Sequence, residues 1–91
     1  MNTDFKTSFN NHIKKIVDQS LVEQINQAIE AVEKAASKKD IPKLEKLKGF
    51  KKGIYYRIRV GGDYRIGVEI TDDLVTFAAF GHRSVIYKIY P

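Results

Sequence analysis

The chain has no cysteine and no tryptophan, and it has only two histidines and two prolines. The missing cysteine excludes disulfides, thiol nucleophiles and thiolate metal sites together. With His12 and His82 as the only imidazoles, a zinc site would have to be completed by carboxylates, and no metal or other cofactor is expected. No apolar run approaches the roughly 18 residues that a membrane helix needs. The opening MNTDFKTSF does not pair a basic stretch with an apolar one, so no secretory signal is read and a cytoplasmic, membrane-free location is expected. At 91 residues the chain has room for one domain, 1–91, with a small core. Five Phe, five Tyr and regular apolar spacing argue against disorder.

The net charge of +5 is unevenly placed. Residues 1–40 carry six Lys against six acids, whereas residues 41–91 carry ten bases against five acids. All four arginines, Arg57, Arg59, Arg65 and Arg83, lie in the second half. A merely solvated face has no reason to sort Arg from Lys. A site that grips planar, bidentate anions such as phosphate does.

Two periods divide the chain. Phe5, Phe9, Ile13 and Ile16 recur at helical spacing, and after a break near Asp18 a second stripe runs through Leu21, Ile25, Ala28, Ile29, Val32 and Ala36. Ser20 and Glu23 have the spacing of a capping box, and Pro42 bars continuation. A helical hairpin is therefore predicted over about 3–38. From Tyr55 the period becomes two, which predicts three half-buried antiparallel strands within about 54–83. Residues 84–91 form a C-terminal segment. The fold class is α+β, a helical pair packed on one face of a small, mainly antiparallel sheet of three to four strands.

Turn length selects the register. A three-residue loop Gly61-Gly62-Asp63 pairs Val60 with Tyr64, Ile58 with Ile66 and Tyr56 with Val68, which puts the apolar residues on one face. A two-residue Asp72-Asp73 turn then pairs Ile70 with Val75, Val68 with Phe77 and Ile66 with Ala79. On the opposite face this register sets Arg59 against Arg65 and Arg57 against Gly67, with Phe80 beside Arg65 and His82 on the same side by parity. Like charges facing each other across strands are destabilising. A solvated basic face is one reading; the other is a polyanion site in which Gly67 leaves a gap and Phe80 offers a stacking surface. The run Lys43, Lys46, Lys48, Lys51 and Lys52 reads either as a solvated connector or as a phosphate-attracting flank. His12, at the edge of the first stripe, reads as a packing residue.

The segments YYRIRVGGDYRIGVEI and VTFAAFGHRSVIYKIYP, with the preceding LEKLKG, resemble the RelE/ParE superfamily of bacterial toxin–antitoxin toxins. The resemblance is densest over residues 44–91. In the RelE branch it implies a ribosome-dependent endoribonuclease, an mRNA interferase, that cuts messenger in the A site and stops translation. No metal is needed there, because the 2′-hydroxyl attacks the adjacent phosphate. Matched by motif, the basic pair is Arg57 and Arg59, the third-strand arginine is Arg65, the next is Arg83 in Gly-His-Arg, and the C-terminal tyrosine is Tyr87. The implied catalytic set is Arg59, Arg65, Arg83, Tyr87 and His82, since histidine is the side chain suited to proton transfer near neutrality. The implied RNA-binding set is Arg57, Phe80, Lys48, Lys51 and Lys52. Arginine at the basic pair, where some members carry lysine, makes a poor base, which leaves His82, Tyr87 or Glu69 to take the proton. The implied partners are a cognate acidic antitoxin, the ribosome and its messenger, with operator DNA touched only through the antitoxin complex. The ParE branch, which poisons DNA gyrase, and a non-catalytic RNA-binding toxin are the competing readings.

Overall fold

Apolar alternation in the second half and apolar stripes in the first demand a sheet with helices laid against it, and the computed structural model, which describes residues 1–91, shows that arrangement. In chain order the elements are β1 (Asn2–Phe5), α1 (Thr7–Lys14), α2 (Gln19–Lys34), a 3-10 turn (Lys38–Asp40), β2 (Leu44–Lys46), β3 (Tyr55–Val60), β4 (Tyr64–Thr71), β5 (Leu74–His82) and α3 (Arg83–Ile89). The strands form one sheet in the order β1-β5-β4-β3-β2. The β1–β5 pair is parallel and the others are antiparallel. No helix is long and apolar enough to cross a membrane.

The sheet is thus larger than three to four strands. Leu44–Lys46, read as plain connector, pairs with β3, and the N-terminal residues supply a fifth strand. Phe5 belongs to that strand and not to the first helix. It stacks on Phe77 with ring centroids 5.0 Å apart, and Phe9 meets the same ring from α1 at 5.4 Å. The α2 start also differs from the capping-box expectation. Asp18 caps the helix, its carboxylate accepting from the Ser20 and Leu21 amides at 2.9 and 3.3 Å. A carboxylate beside the positive end of the helix dipole is a better acceptor there than a hydroxyl.

The principal core lies between the sheet and the α1–α2 pair. It joins Phe9, Ile25 and Val32 to Ile58, Ile66, Val68 and Phe77, all buried. The β3–β4 register has the expected pairs throughout, Arg59 against Arg65 and Arg57 against Gly67 included. The β4–β5 register begins as expected, with Ile70 opposite Val75 and Val68 opposite Phe77, and then shifts at a β-bulge between Gly67 and Val68. Gly67 faces Ala79, and Ile66 faces Phe80 rather than Ala79. One extra residue on β5 reverses the parity of everything after it.

That bulge sits where β1 has ended, so the outer edge of β5 there lacks a strand partner. α1 covers it. The Ser8 hydroxyl donates to the Ala78 carbonyl at 2.6 Å, and His12 Nδ1 accepts from the Phe80 amide at 3.0 Å. His12 therefore closes a sheet edge as well as packing. Replacing it with alanine orphans a partly buried amide, so His12→Ala should cost about 1–3 kcal/mol in urea unfolding and speed hydrogen exchange at Phe80. Unchanged stability together with unchanged Phe80 protection would contradict this role.

Candidate functional site

Residues of β3 and β4 that point away from the principal core meet a second, smaller cluster built around α3. Ile86 and Tyr90 are buried there with Ala78 and Ala79, flanked by Tyr55 and Leu47. Gly67 makes this possible. A Cβ on Gly67 would lie 2.6 Å from Tyr90 Cγ and Cδ2, so the ring occupies the space that any other residue would fill. The gap read as room for a ligand is therefore taken up by Tyr90. The Tyr90 hydroxyl donates to the Val68 carbonyl at 2.6 Å in a buried hydrogen bond. Burial first, then the nearby Glu69 and Tyr55, push its ionisation well above the ordinary tyrosine range, and Arg57 opposes them.

α3 is held at both ends. At its start, His82 Nδ1 accepts from the Ser84 amide at 3.2 Å, and the Arg83 amide donates to the Asp63 carbonyl in the β3–β4 turn at 2.7 Å. Between the tethers, Arg83 and Tyr87 lie one helical turn apart, a rise of about 6 Å, on the same stripe. Tyr87 comes to rest over Arg57, with the guanidinium carbon 4.2 Å from the ring centroid. A cation over a tyrosine face is attractive, and more so where water is thin.

The four arginines have different surroundings. Arg65 is only 6% exposed. Its Nη1 donates to the Gly62 and Tyr64 carbonyls at 3.0 and 2.8 Å, folding the guanidinium onto the turn that also tethers Arg83. No carboxylate pairs with it. Arg57 Nε and Arg65 Nε are both buried with no hydrogen-bond partner in the protein. Arg59 is exposed and has a loose ion pair with Glu45 at 3.6 Å. Arg83 is exposed at the head of α3. Burying guanidinium groups without an anion is unfavourable, and the face they share is consequently an anion attractor.

Two expectations need correction. Phe80 is not beside Arg65 on this face. The bulge turns it into the principal core, where it is 6% exposed and stacked on Tyr64 with centroids 5.6 Å apart, so it offers no surface to a base. His82, shifted by the same residue, is exposed but sits edge-on to Tyr64 at 5.6 Å, beside the Arg face and not on it. Glu69 is on the Arg face, but its carboxylate is engaged by Lys6 at 2.7 Å. Lys48, Lys51 and Lys52 are exposed in the loop between β2 and β3. The sequence reading missed Tyr90 as the anchor of α3, although a glycine inside a strand signals close approach of something. It also missed the bulge, whose trace is the Phe77–Phe80 spacing of three, which no regular strand can place on one face.

The two largest clefts flank the Arg face. One, of about 420 Å³, lies between α2 and β3, and the other, of about 490 Å³, runs past Lys6, His12, Glu69 and Tyr90. The Arg face itself is open, a shape suited to a polymer. No group of three or more His, Asp or Glu side chains that could hold a metal ion is present.

A toxin fold is what this framework defines. Residues 4–87 match the family described as ParE toxin of type II toxin–antitoxin system, parDE. The chain is 37% identical over 78 residues to Toxin RelE3 of Methanocaldococcus jannaschii, covering 85% of each protein. The toxin in the crystal structure of a RelB-RelE antitoxin–toxin complex from Methanococcus jannaschii superposes with a TM-score of 0.77 at 32% identity, over 97% of this chain and 99% of that one. YoeB from Staphylococcus aureus shares the fold, with a TM-score of 0.72 at 22% identity over 91% and 97% of the two chains. The chain belongs to the RelE/ParE superfamily of toxins of type II toxin–antitoxin systems.

Two measurements test the anchoring of α3. Gly67→Ala should destabilise the protein by about 1–3 kcal/mol, but cost much less when Tyr90 is already alanine; additive costs would contradict the contact. Because the native hydroxyl ionises above the unfolded value of about 10, its contribution is intact below that pH and lost as pH rises past it. Tyr90→Phe should therefore flatten the alkaline fall in stability, and an unchanged alkaline fall would rule this out.

Proposed function

We propose that the protein is the toxin of a toxin–antitoxin pair and acts as a ribosome-dependent endoribonuclease, cleaving messenger in the A site by 2′-hydroxyl attack. The observation that carries this reading is the pair of buried, unpartnered guanidinium Nε groups of Arg57 and Arg65 on one open face, with Tyr87 seated above Arg57. Such a face supplies positive charge that is already fixed in place before a phosphate arrives, which is the condition for stabilising charge that grows in a transition state.

In the reaction, the 2′-oxygen loses its proton and bonds to phosphorus. The P–O5′ bond breaks, the 5′-oxygen takes up a proton, and a 2′,3′-cyclic phosphate remains. Arg83, exposed at the head of α3, and Arg59 hold the phosphate oxygens. Arg65, braced on the Gly62 and Tyr64 carbonyls, contributes its field and fixes the turn that tethers the Arg83 amide. Tyr87 is the titratable group that the face holds for proton transfer, since Glu69 is held by Lys6 and His82 lies beside the face with its Nδ1 on the Ser84 amide. Lys48, Lys51 and Lys52 add non-specific attraction to the ribosomal RNA backbone. The RelB-bound relative supports a cognate antitoxin for this chain, and the excess of five positive charges favours an acidic one. Operator DNA would be reached only through that complex.

Mapping messenger ends after induced expression tests the reading. Cuts confined to translated reading frames are expected. Arg83→Ala should slow them about 100-fold or more, and Tyr87→Phe should slow them as well. Intact messages accompanied by double-stranded DNA breaks would replace it with gyrase poisoning, as in the ParE branch. Growth arrest unaffected by either substitution would remove Arg83 and Tyr87 from the mechanism.

A further inference from the structure

With Phe80 buried and Tyr55 half-buried, Tyr87 is the exposed aromatic of the Arg face, and a second exposed aromatic stands in the loop that leads into β3. Phe50 is 47% exposed in the loop between β2 and β3, with Lys48 two residues before it and Lys51 and Lys52 directly after. Nothing packs over its outer side, but its inner side is supported. Its ring meets Tyr55 edge-on at 5.4 Å, and Tyr55 meets Tyr90 edge-on at 6.2 Å. Tyr90 is in turn fixed by its hydrogen bond to Val68. A line of three rings thus leads from the buried anchor of α3 to the surface. Tyr55 and Arg57 share one face of β3, about 6.6 Å apart, so the middle ring of the line stands beside Arg57 and the outer ring, Phe50, lies one ring further out.

We infer that Phe50 is a stacking platform for a base of single-stranded RNA, positioned by Tyr55 and Tyr90 and electrostatically supported by Lys48, Lys51 and Lys52. An exposed aromatic set among cations matches the chemistry of single-strand binding, in which bases stack on rings while lysines follow the phosphates. An acidic protein segment would also be drawn to the three lysines, and the last outcome below separates it from RNA. The inference rests on the RNA-directed reading of the same face and names a residue that binds the strand outside the scission point.

The chain has no tryptophan, so Phe50→Trp installs a single reporter. Its fluorescence should be quenched by a short 2′-O-methyl oligoribonucleotide, which cannot be cut, and much less by the same strand with abasic positions. In parallel, Phe50→Ala and Phe50→Leu should each weaken oligonucleotide binding about 5- to 100-fold, with Phe50→Trp binding at least as well as the native chain. Equal affinity for all four proteins, or a tryptophan indifferent to bases, overturns the platform; if the native chain still cuts messenger, only this inference falls. A native chain that binds no oligoribonucleotide overturns the platform, and the ribosome-dependent endoribonuclease reading falls with it only if messenger on translating ribosomes is also left whole. Loss of a protein partner in Phe50→Ala with RNA affinity unchanged would assign the ring to a protein contact and also overturn the inference.

Discussion

Tyr90 fills the space that a side chain at Gly67 would occupy, and its hydroxyl closes on the Val68 carbonyl of the same strand. α3 has only seven residues, too few to persist unaided in water, so its position depends on what it packs against. Ile86 and Tyr90 supply that packing from one side of the helix. The other side is then free to present Arg83 to solvent and to lay Tyr87 over Arg57. Without the glycine the helix has no seat, and without the helix the sheet face is only a row of arginines.

The bulge next to Gly67 extends the same logic to the opposite side of the sheet. It sends Phe80 into the principal core and leaves only Ala78, Ala79 and Gly81 under α3. Small residues there let a helix approach closely. Ser8 and His12 meet the backbone groups that the irregularity leaves without strand partners. Stability and site geometry are therefore joined at one place. The like-charged Arg59–Arg65 pairing, unfavourable in isolation, is offset by turn carbonyls and by Glu45 but never neutralised. What the fold leaves uncompensated is what an anion would complete.

Much of this is legible in the residues alone. The Gly61-Gly62-Asp63 loop and the alternation around it were enough to pair Arg59 with Arg65 and Arg57 with Gly67, because a slip of one residue would have exposed the core. The helical stripes named Ile25, Val32 and Phe9 correctly as core. Phe5 misled because its spacing to Phe9 suits a helix, while a parallel edge strand on β5 is a long-range pairing that no local period reports. Phe80 and His82 misled because parity was carried across Ala78 as if β5 were regular. Tyr90 reads from the sequence as either core or tail, because its partner lies on a distant strand and only the glycine there hints at the contact.

Charge, aromatic support and an open face are the grounds for the proposed phosphodiester chemistry, and the end group of the product tests that proposal most directly. Purified protein added to translating ribosomes should leave upstream fragments ending in a 2′,3′-cyclic phosphate, the product of attack by the neighbouring 2′-hydroxyl. Fragments ending in a free 3′-hydroxyl, or messenger left whole at saturating protein, would contradict the account.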